Sequence, residues 1–578
     1  MSKKTILSHY TVAMAGALIA LLPVTVFAQT ASQITPPSYA PPAQAELRAP
    51  LTLPAEAMRT PPEGANTLFV TPQGLTIEGG KLSPATEAQL RQRLDGKRVS
   101  VAEIFAAAGE AEMAEAKAGR VLLRVSVPQQ DLKDGAPVRL AVVEGFIERV
   151  DTSGLPANVR SRIARLAEQL TEDKALTLRD LERRLMLAAD VPGVTVRSTL
   201  SPGERPGGTV LRLEGEWQPV SGFVSLDNTL SSALGSLTYG AGVNLNSVLG
   251  AGEQIYLRAS GLPNTGHRTS VLDPTPRNRA LAAGLVVPLG DDGLTLTLEG
   301  TDARTAPRPA SATSPGFGSR FQRFSSTLRY PVVRRRDVSV GASLGFDAQN
   351  ERVRIIDPVV LPLSQDRLRV VRLGADASAY LPGEGFVSAQ VEASLGVTGL
   401  GARSASQATV AVPLSRAGTD ADFRKLTASF NLTQPLAPNL AVGLRARGQT
   451  SFGQVMANSE QFGIASVDGI SPLDAGRVQG DSGFFARGEL KAPFVAAASG
   501  ILANITPYAF AAQGTVWFEQ PTVFERRRTD AFAYGAGIRV AGQARDGSPG
   551  VTASLEYGRA HLEGLRPDRL TFSVLTRF

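Results

Sequence analysis

From about Trp217 to its end, the chain is a succession of segments of about ten residues in which apolar and polar side chains alternate. Leu294, Leu296 and Leu298 alternate with Thr295, Thr297 and Glu299, directly after an Asp292-Gly293 turn. Ile255, Leu257 and Ala259 alternate with Gln254, Tyr256, Arg258 and Ser260, and Val551, Ala553, Leu555 and Tyr557 with Thr552, Ser554, Glu556 and Gly558. A period of two describes strands with one apolar and one polar face. Roughly 16 such segments follow one another without a helical signal. A soluble sheet of that size needs helices or a second sheet over its apolar face, and none is encoded here. In a transmembrane barrel the apolar face meets lipid, the polar face lines a lumen, and closure removes the aggregation-prone edges. The expectation is therefore a 16-stranded antiparallel transmembrane β-barrel over residues 217–578.

The N-terminus agrees with export. Lys3 and Lys4 precede an apolar stretch from Thr11 to Ala28 that ends in Val26-Phe27-Ala28. A basic region, an apolar region and a small residue before the cleavage point describe a signal peptide over residues 1–28, cut before Gln29. The chain has no cysteine, and His9, His267 and His561 lie far apart, so neither thiol chemistry nor a histidine metal site is expected. The net charge of +7 is spread along the sequence, which argues against a nucleic-acid partner. Arg334–Arg336 and Arg526–Arg528, each beside an aspartate, read as solvated loop tips. No His-Glu-x-x-His, no phosphate-binding Gly-x-x-x-x-Gly-Lys-Ser/Thr and no cluster of catalytic histidines occurs, so no enzyme, no catalytic residue and no cofactor is expected.

Residues 29–65 are proline-rich and read as an extended periplasmic linker. Two α+β units follow, over 66–146 and 147–216, each in β-α-α-β-β order. In the first, a strand over 67–78 leads to a helix opened by Ser83-Pro84 and closed at Gly96. The second helix starts at the capping box Ser100-Val101-Ala102-Glu103 and ends at Gly119. Strands over 121–127 and 138–145 complete the unit. The second unit has a helix over 157–170 and another capped by Thr177 with Asp180, and its strands lie near 147–151, 194–200 and 209–215. A repeat of about 75 residues indicates two copies of one domain.

Three stretches carry a family resemblance: "VPQQDLKDGAPVRLAVVEGFIERV" (127–150), "LERRLMLAADVPGVTVRSTLSPG" (181–203) with its Asp-x-Pro-Gly turn at 190–193, and "VSLDNTLSSALGSLTYGAGVNLNSVLGAGEQI" (224–255) with Asp227-Asn228. They resemble the two-partner secretion transporters (the TpsB family, exporters of haemolysins and filamentous haemagglutinins). The resemblance implies two periplasmic POTRA domains and a 16-stranded outer-membrane barrel. The ending "RLTFSVLTRF", with Phe572, Val574 and Phe578, looks like the signal that hands bacterial barrels to their assembly machinery.

Residues 453–481 fall where the family has a long loop that folds back into the lumen. Gly480, Asp481 and Gly483 match its Gly-Asp-x-Gly. The family's Val-Arg-Gly-aromatic reads Val467-Asp468-Gly469-Ile470, and its Phe-x-Asp-x-Gly on the following strand reads Phe510, Ala512, Gly514. Both halves of the arginine–aspartate pair that would hold the loop are replaced, which avoids setting two carboxylates together. Arg477 is a candidate to take over by pairing with another lumen carboxylate, a solvated loop arginine being the alternative. Several relatives have an N-terminal plug helix; the prolines of the linker do not allow a helix of that length here, so either the plug is absent or something else closes the pore.

The function implied is secretion of a large partner protein, a TpsA-like haemolysin, adhesin or haemagglutinin, from periplasm to cell surface without ATP. Other contacts implied are outer-membrane lipid and lipopolysaccharide, and the barrel assembly machinery during biogenesis, with the protein acting as a monomer. Cargo capture by β-augmentation makes the strand edges 121–127 and 138–144 candidates, with Val121, Leu123, Val125, Val127, Gln129 and Gln130 as contact residues. For each of them plain sheet core is the alternative. A barrel-assembly or insertase-type POTRA protein and a passive pore are the competing classes. Two POTRA units favour export, since assembly factors usually carry more.

Overall fold

A computed structural model describes residues 29–41, 51–52, 61–173, 176–261, 273, 275–498, 501–523, 525–544 and 550–578; the expected signal peptide lies outside them. Two POTRA units precede the barrel. In the first, Ser83 caps the helix Pro84–Leu94, and Ser100 and Glu103 close a reciprocal capping box on Val101–Lys117. The strand expected over 67–78 is two pieces, Phe69–Val70 and Leu75–Gly79, because Pro72 and the left-handed Gly74 (φ +98°) interrupt it. Val138–Val143 lies at the centre of the sheet, parallel to Leu75–Gly79 and antiparallel to Arg124–Ser126.

The second unit repeats this topology. Phe146–Gly154 runs parallel to Gly208–Trp217, which pairs antiparallel with Val194–Pro202, and the helices Ala157–Glu168 and Leu178–Ala189 cover the sheet. Thr177 and Asp180 form the second capping box. Leu51–Thr52 adds a short parallel strand to the free edge of Val194–Pro202.

The barrel closes from Val220–Asp227 round to Asp568–Arg577 with every neighbouring pair antiparallel. It has 16 strands. One of them is interrupted: Ser482–Lys491 and Phe494–Ala498 both pair with Ile501–Trp517, with Ala492-Pro493 between them. Leu257, Leu344, Leu373, Val391 and Leu555 face outward, whereas Tyr256, Arg258, Glu299, Arg323 and Arg487 are buried inside. The alternation thus sorts lipid from lumen. At the seam, the amide of Asn228 extends the pairing: its Oδ1 accepts from the Phe572 N–H at 2.8 Å and its Nδ2 donates to the Leu570 carbonyl at 2.8 Å. Phe578 exchanges backbone hydrogen bonds with Gly222. Phe572, Val574 and Phe578 therefore belong to the closing strand and its end.

The second POTRA unit grips the short turns at one end of the barrel. Arg334, 1% exposed, makes two hydrogen bonds to Asp190 at 2.8 and 2.6 Å, and Arg336 reaches Glu182 at 2.9 Å. The expectation of a solvated Arg334–Arg336 tip is corrected here: carboxylates on the helix Leu178–Ala189 and its cap draw these arginines in. The Asp-x-Pro-Gly turn also gains a reason, since a Cβ on Gly193 (φ +76°) would sit 2.4 Å from the Gln218 carbonyl. Arg526–Arg528 stays exposed at the opposite end. Short turns lie on the POTRA side and long loops on the other, which orients the barrel with its POTRA side in the periplasm.

Candidate functional site in the barrel lumen

Two segments occupy the lumen. The first comprises residues 29–41, which were expected to lie in a periplasmic linker. They run instead through the pore, as irregular chain with one 3-10 turn at Ser32–Ile34. Thr305 and Ser231, at the long-loop end, donate to the Gln29 carbonyl (3.1 Å) and side chain. The Ala31 N–H donates to Ser319 Oγ at 3.0 Å, and Ser32 donates through its N–H and hydroxyl to Glu351 at 3.1 and 2.8 Å. Further down, Ser38 and the Tyr39 N–H donate to Glu299 at 3.0 and 2.8 Å. Ala40 and Pro41 reach a cavity of about 870 Å³ between the barrel mouth and the Asp190–Gly193 turn. The linker expectation fails because prolines exclude a long helix but leave an extended chain free to be threaded. Thirteen residues at about 3.3 Å each are long enough to cross a hydrocarbon core of roughly 30 Å.

The second segment is the long loop between Leu440–Thr450 and Ser482–Lys491. Its entering limb is anchored by Glu460, which is 1% exposed and accepts from Arg372 and Lys425 at 2.7 Å each. Its return is anchored by Asp481. The fully buried carboxylate accepts from the Met456 and Glu519 N–H groups at 2.9 Å each, which ties the loop base to a neighbouring loop. The flanking glycines permit close approach: a Cβ on Gly480 would sit 2.7 Å from the Trp517 carbonyl, and one on Gly483 2.7 Å from Phe462. This is the physical content of the Gly-Asp-x-Gly element.

The loop tip is held without the family's ion pair. Asp468 and its neighbour Val467 are exposed, and Asp468 pairs with Arg445 at the loop surface. Ile470 is fully buried in an apolar cluster with Ile464, Phe485, Phe510 and Ala512. A Cβ on Gly514 would sit 3.1 Å from Ile464, and one on Gly469 2.5 Å from its carbonyl. Ala512 stands directly across the strand pair from Arg487. Arg487 is 1% exposed. It pairs with Glu556 and with Glu489 (2.9 Å), donates to Ser471 Oγ of the loop at 2.9 Å, and lies over the Phe510 ring with 3.8 Å to its centroid. Glu556 also accepts from Ser471 and from Tyr508 (2.7 Å), and Arg539 makes two bonds to Glu489 at 2.8 and 2.7 Å. The arginine that grips the loop thus sits on a barrel strand rather than in the loop. Arg477 is exposed and enters no ion pair among the described residues, and the nearby loop carboxylate Asp474 pairs instead with Arg569 of the closing strand at 2.8 Å.

The POTRA candidates divide. Val121, Leu123 and Val125 are buried, Val121 in the core of the second unit and the other two in that of the first. Only Arg124–Ser126 is strand, and the Val125 N–H is capped by Glu112 at 2.9 Å. Val138–Val143 is central and has no free edge. Gln130 bridges the Arg139 N–H and carbonyl (2.9 and 2.8 Å), Val127 packs against the first core, and Gln129 is exposed. The apolar residues of this stretch serve the cores because its strand is only three residues long.

Sequence reasoning missed Glu460, Arg487, Glu489, Glu556, Arg539, Glu299 and Glu351. Each strand residue among them does occupy a polar position in the alternation, a signal that identifies lumen charges without pairing them.

The description "Haemolysin secretion/activation protein ShlB/FhaC/HecB" matches residues 207–540, and "POTRA domain, ShlB-type" matches 70–145. The outer membrane transporter CdiB of Dickeya dadantii (strain 3937) is 25% identical over 376 residues, covering 64% of this chain and 63% of that relative. The heme/hemopexin transporter protein HuxB of Haemophilus influenzae (strain 86-028NP) is 24% identical over 172 residues, 29% of this chain and 30% of HuxB. The match thus spans less than two thirds of the curated relatives' length. CdiB from Escherichia coli shares the fold with a TM-score of 0.66 and 18% identity, covering 93% of this chain and 94% of its own. CdiB from Acinetobacter baumannii does so at 0.59 and 14%, covering 92% and 95%. With a lumen loop returning on Gly-Asp-x-Gly, POTRA units at the periplasmic mouth and a family match over more than half its length, the chain belongs to the ShlB/FhaC/HecB haemolysin secretion/activation family of two-partner secretion outer-membrane transporters.

Proposed function

We propose that this protein secretes one large partner polypeptide, haemolysin-, adhesin- or haemagglutinin-like, from periplasm to cell surface. The observation that supports this most is what fills the pore. Residues 29–41 and the long loop are attached to the wall mainly by side chains, while the wall itself is closed by strand pairing. Side-chain contacts can be exchanged one at a time, so the lumen can open without breaking the barrel. Cargo enters at the POTRA mouth, passes the polar lumen in extended form and folds outside, driven by folding rather than by nucleotide. It is captured by strand addition at the first POTRA sheet, whose Leu75–Gly79 edge remains as the site once the 121–127 stretch is assigned to the cores. The protein acts as a monomeric transporter and not as an enzyme.

Deleting the protein and profiling the culture medium tests this. One large secreted polypeptide should vanish. A general fall in outer-membrane barrels would instead identify an assembly factor, and no change in either would identify a passive pore.

A further inference from the structure

We propose that the lumen wall around residues 29–41 is a polypeptide-binding track, used in cis by this segment and in trans by the exported chain. The inference rests on the export reading and names the chemistry that the pore recognises. The wall reads main chain. Ser319, Glu351 and Glu299 accept from the N–H groups of Ala31, Ser32 and Tyr39. Arg323 donates to the Pro36 carbonyl at 3.0 Å and Thr305 to that of Gln29. Any extended chain offers these groups, so the contacts are not private to this sequence.

The side-chain contacts set the class. Ser32 and Ser38 place hydroxyls on the two carboxylates, and Gln33 donates to Gln479 at 2.9 Å. Ala31 fills an apolar niche formed by Ala303 and Phe321. Residues 29–41 contain no charged side chain, in a chain that is 20% charged. Glu299 and Glu351 are 2% and 3% exposed, and the Arg323–Glu299 pair (3.1 Å) is buried with them, so the wall groups are held in place around the segment. A carboxylate in place of either serine would meet a wall carboxylate at close range and be repelled. The ligand class is therefore an extended, uncharged polypeptide rich in Ser, Thr and Gln, with small residues at intervals. Stretches of cargo with that composition dwell on the track, and acidic stretches do not.

The test uses the full chain in planar lipid bilayers. The probes are a synthetic peptide of residues 29–41 and the same peptide with Ser32→Asp and Ser38→Asp. Deletion of residues 30–39, or S32D/S38D in the full chain, should raise the open-state current over that of the parent. The unaltered peptide should block both variants, and the aspartate peptide should need about ten times the concentration. Glu299→Gln with Glu351→Gln in the wall should weaken the unaltered peptide and narrow the difference between the two. Equal block by both peptides, no block, or an unchanged current in both variants overturns the proposal. Heat-modifiable migration on gels reports barrel folding, and if the deletion variant does not fold, S32D/S38D carries the test. No cargo is present in the bilayer. Loss of export reading with retained block, or retained export with no block, therefore tells the two conclusions apart.

Discussion

Glu556→Ala tests whether the Arg487 cluster holds the long loop. Glu556 accepts from Arg487, Ser471 and Tyr508, and its removal leaves the Arg487 guanidinium, 1% exposed, with Glu489, which is already shared with Arg539. Breaking a buried ion pair by removing one partner costs about 3–5 kcal/mol. The share that bears on the loop is the Ser471 hydroxyl bond to a carboxylate, about 1.5–3 kcal/mol. At about 1.4 kcal/mol per factor of ten, the released population of the loop should rise by roughly ten- to a hundred-fold. The chain has no cysteine, so a single Ala465→Cys reports release cleanly, since Ala465 is 4% exposed within the loop's apolar cluster. Maleimide labelling at this site should speed up by that factor in E556A. It should stay near the parent rate in D468N, because the Asp468–Arg445 pair is exposed and such pairs contribute about 0–1 kcal/mol. Replacing both partners, R487M with E556L, removes both bonds to Ser471 and should keep labelling fast, while the barrel's thermal stability recovers toward the parent's, since an apolar substitute for a buried pair is often neutral. An unchanged rate in E556A with a folded barrel refutes the latch.

Asp481→Ala strands the buried Met456 N–H, at a cost of about 1–3 kcal/mol, frees the half-buried Glu519 N–H, and should lower the thermal transition of the barrel measured by circular dichroism. Arg334→Met leaves Asp190 without its buried partner at the POTRA–barrel joint; hydrogen exchange should rise in the helix Leu178–Ala189 while the barrel strands stay protected. In the first POTRA unit Glu115 is buried. Burial by itself would raise its carboxyl, but the Ser83 N–H, the hydroxyls of Ser83 and Thr86 and Arg120 outweigh it and hold it below the usual range. A depressed folded-state value means that the stabilisation is complete above the ordinary carboxylate range and is lost as pH falls through the lowered one. Glu115→Gln should therefore destabilise the full chain's POTRA transition at pH 7 and remove that acid dependence.

The two capping boxes, the repeat of the α+β unit, the alternation of the barrel strands and the Gly-Asp-x-Gly return are local patterns. Ser100 with Glu103, or Leu294 through Glu299, states its structure within a few residues, so the sequence alone determined the class of fold and the place of the loop. The partners of the charges are another matter. Arg487 meets Glu556 and Arg372 meets Glu460 only because of strand order and register across the closed barrel. The same holds for Arg334, whose run beside Asp337 resembles a surface turn until the second POTRA domain is set against it. Proline in residues 29–41 excludes a long helix, yet it does not say where an extended chain lies. That is decided by carboxylates on Leu294–Thr305 and Val338–Asp357, more than 250 residues away in sequence, which become neighbours only when the barrel closes. Short-range preference is a property of the sequence. Where a buried charge finds its counter-charge is a property of the assembled tertiary structure, because the cost of burying it is relieved only by groups that long-range pairing brings within reach.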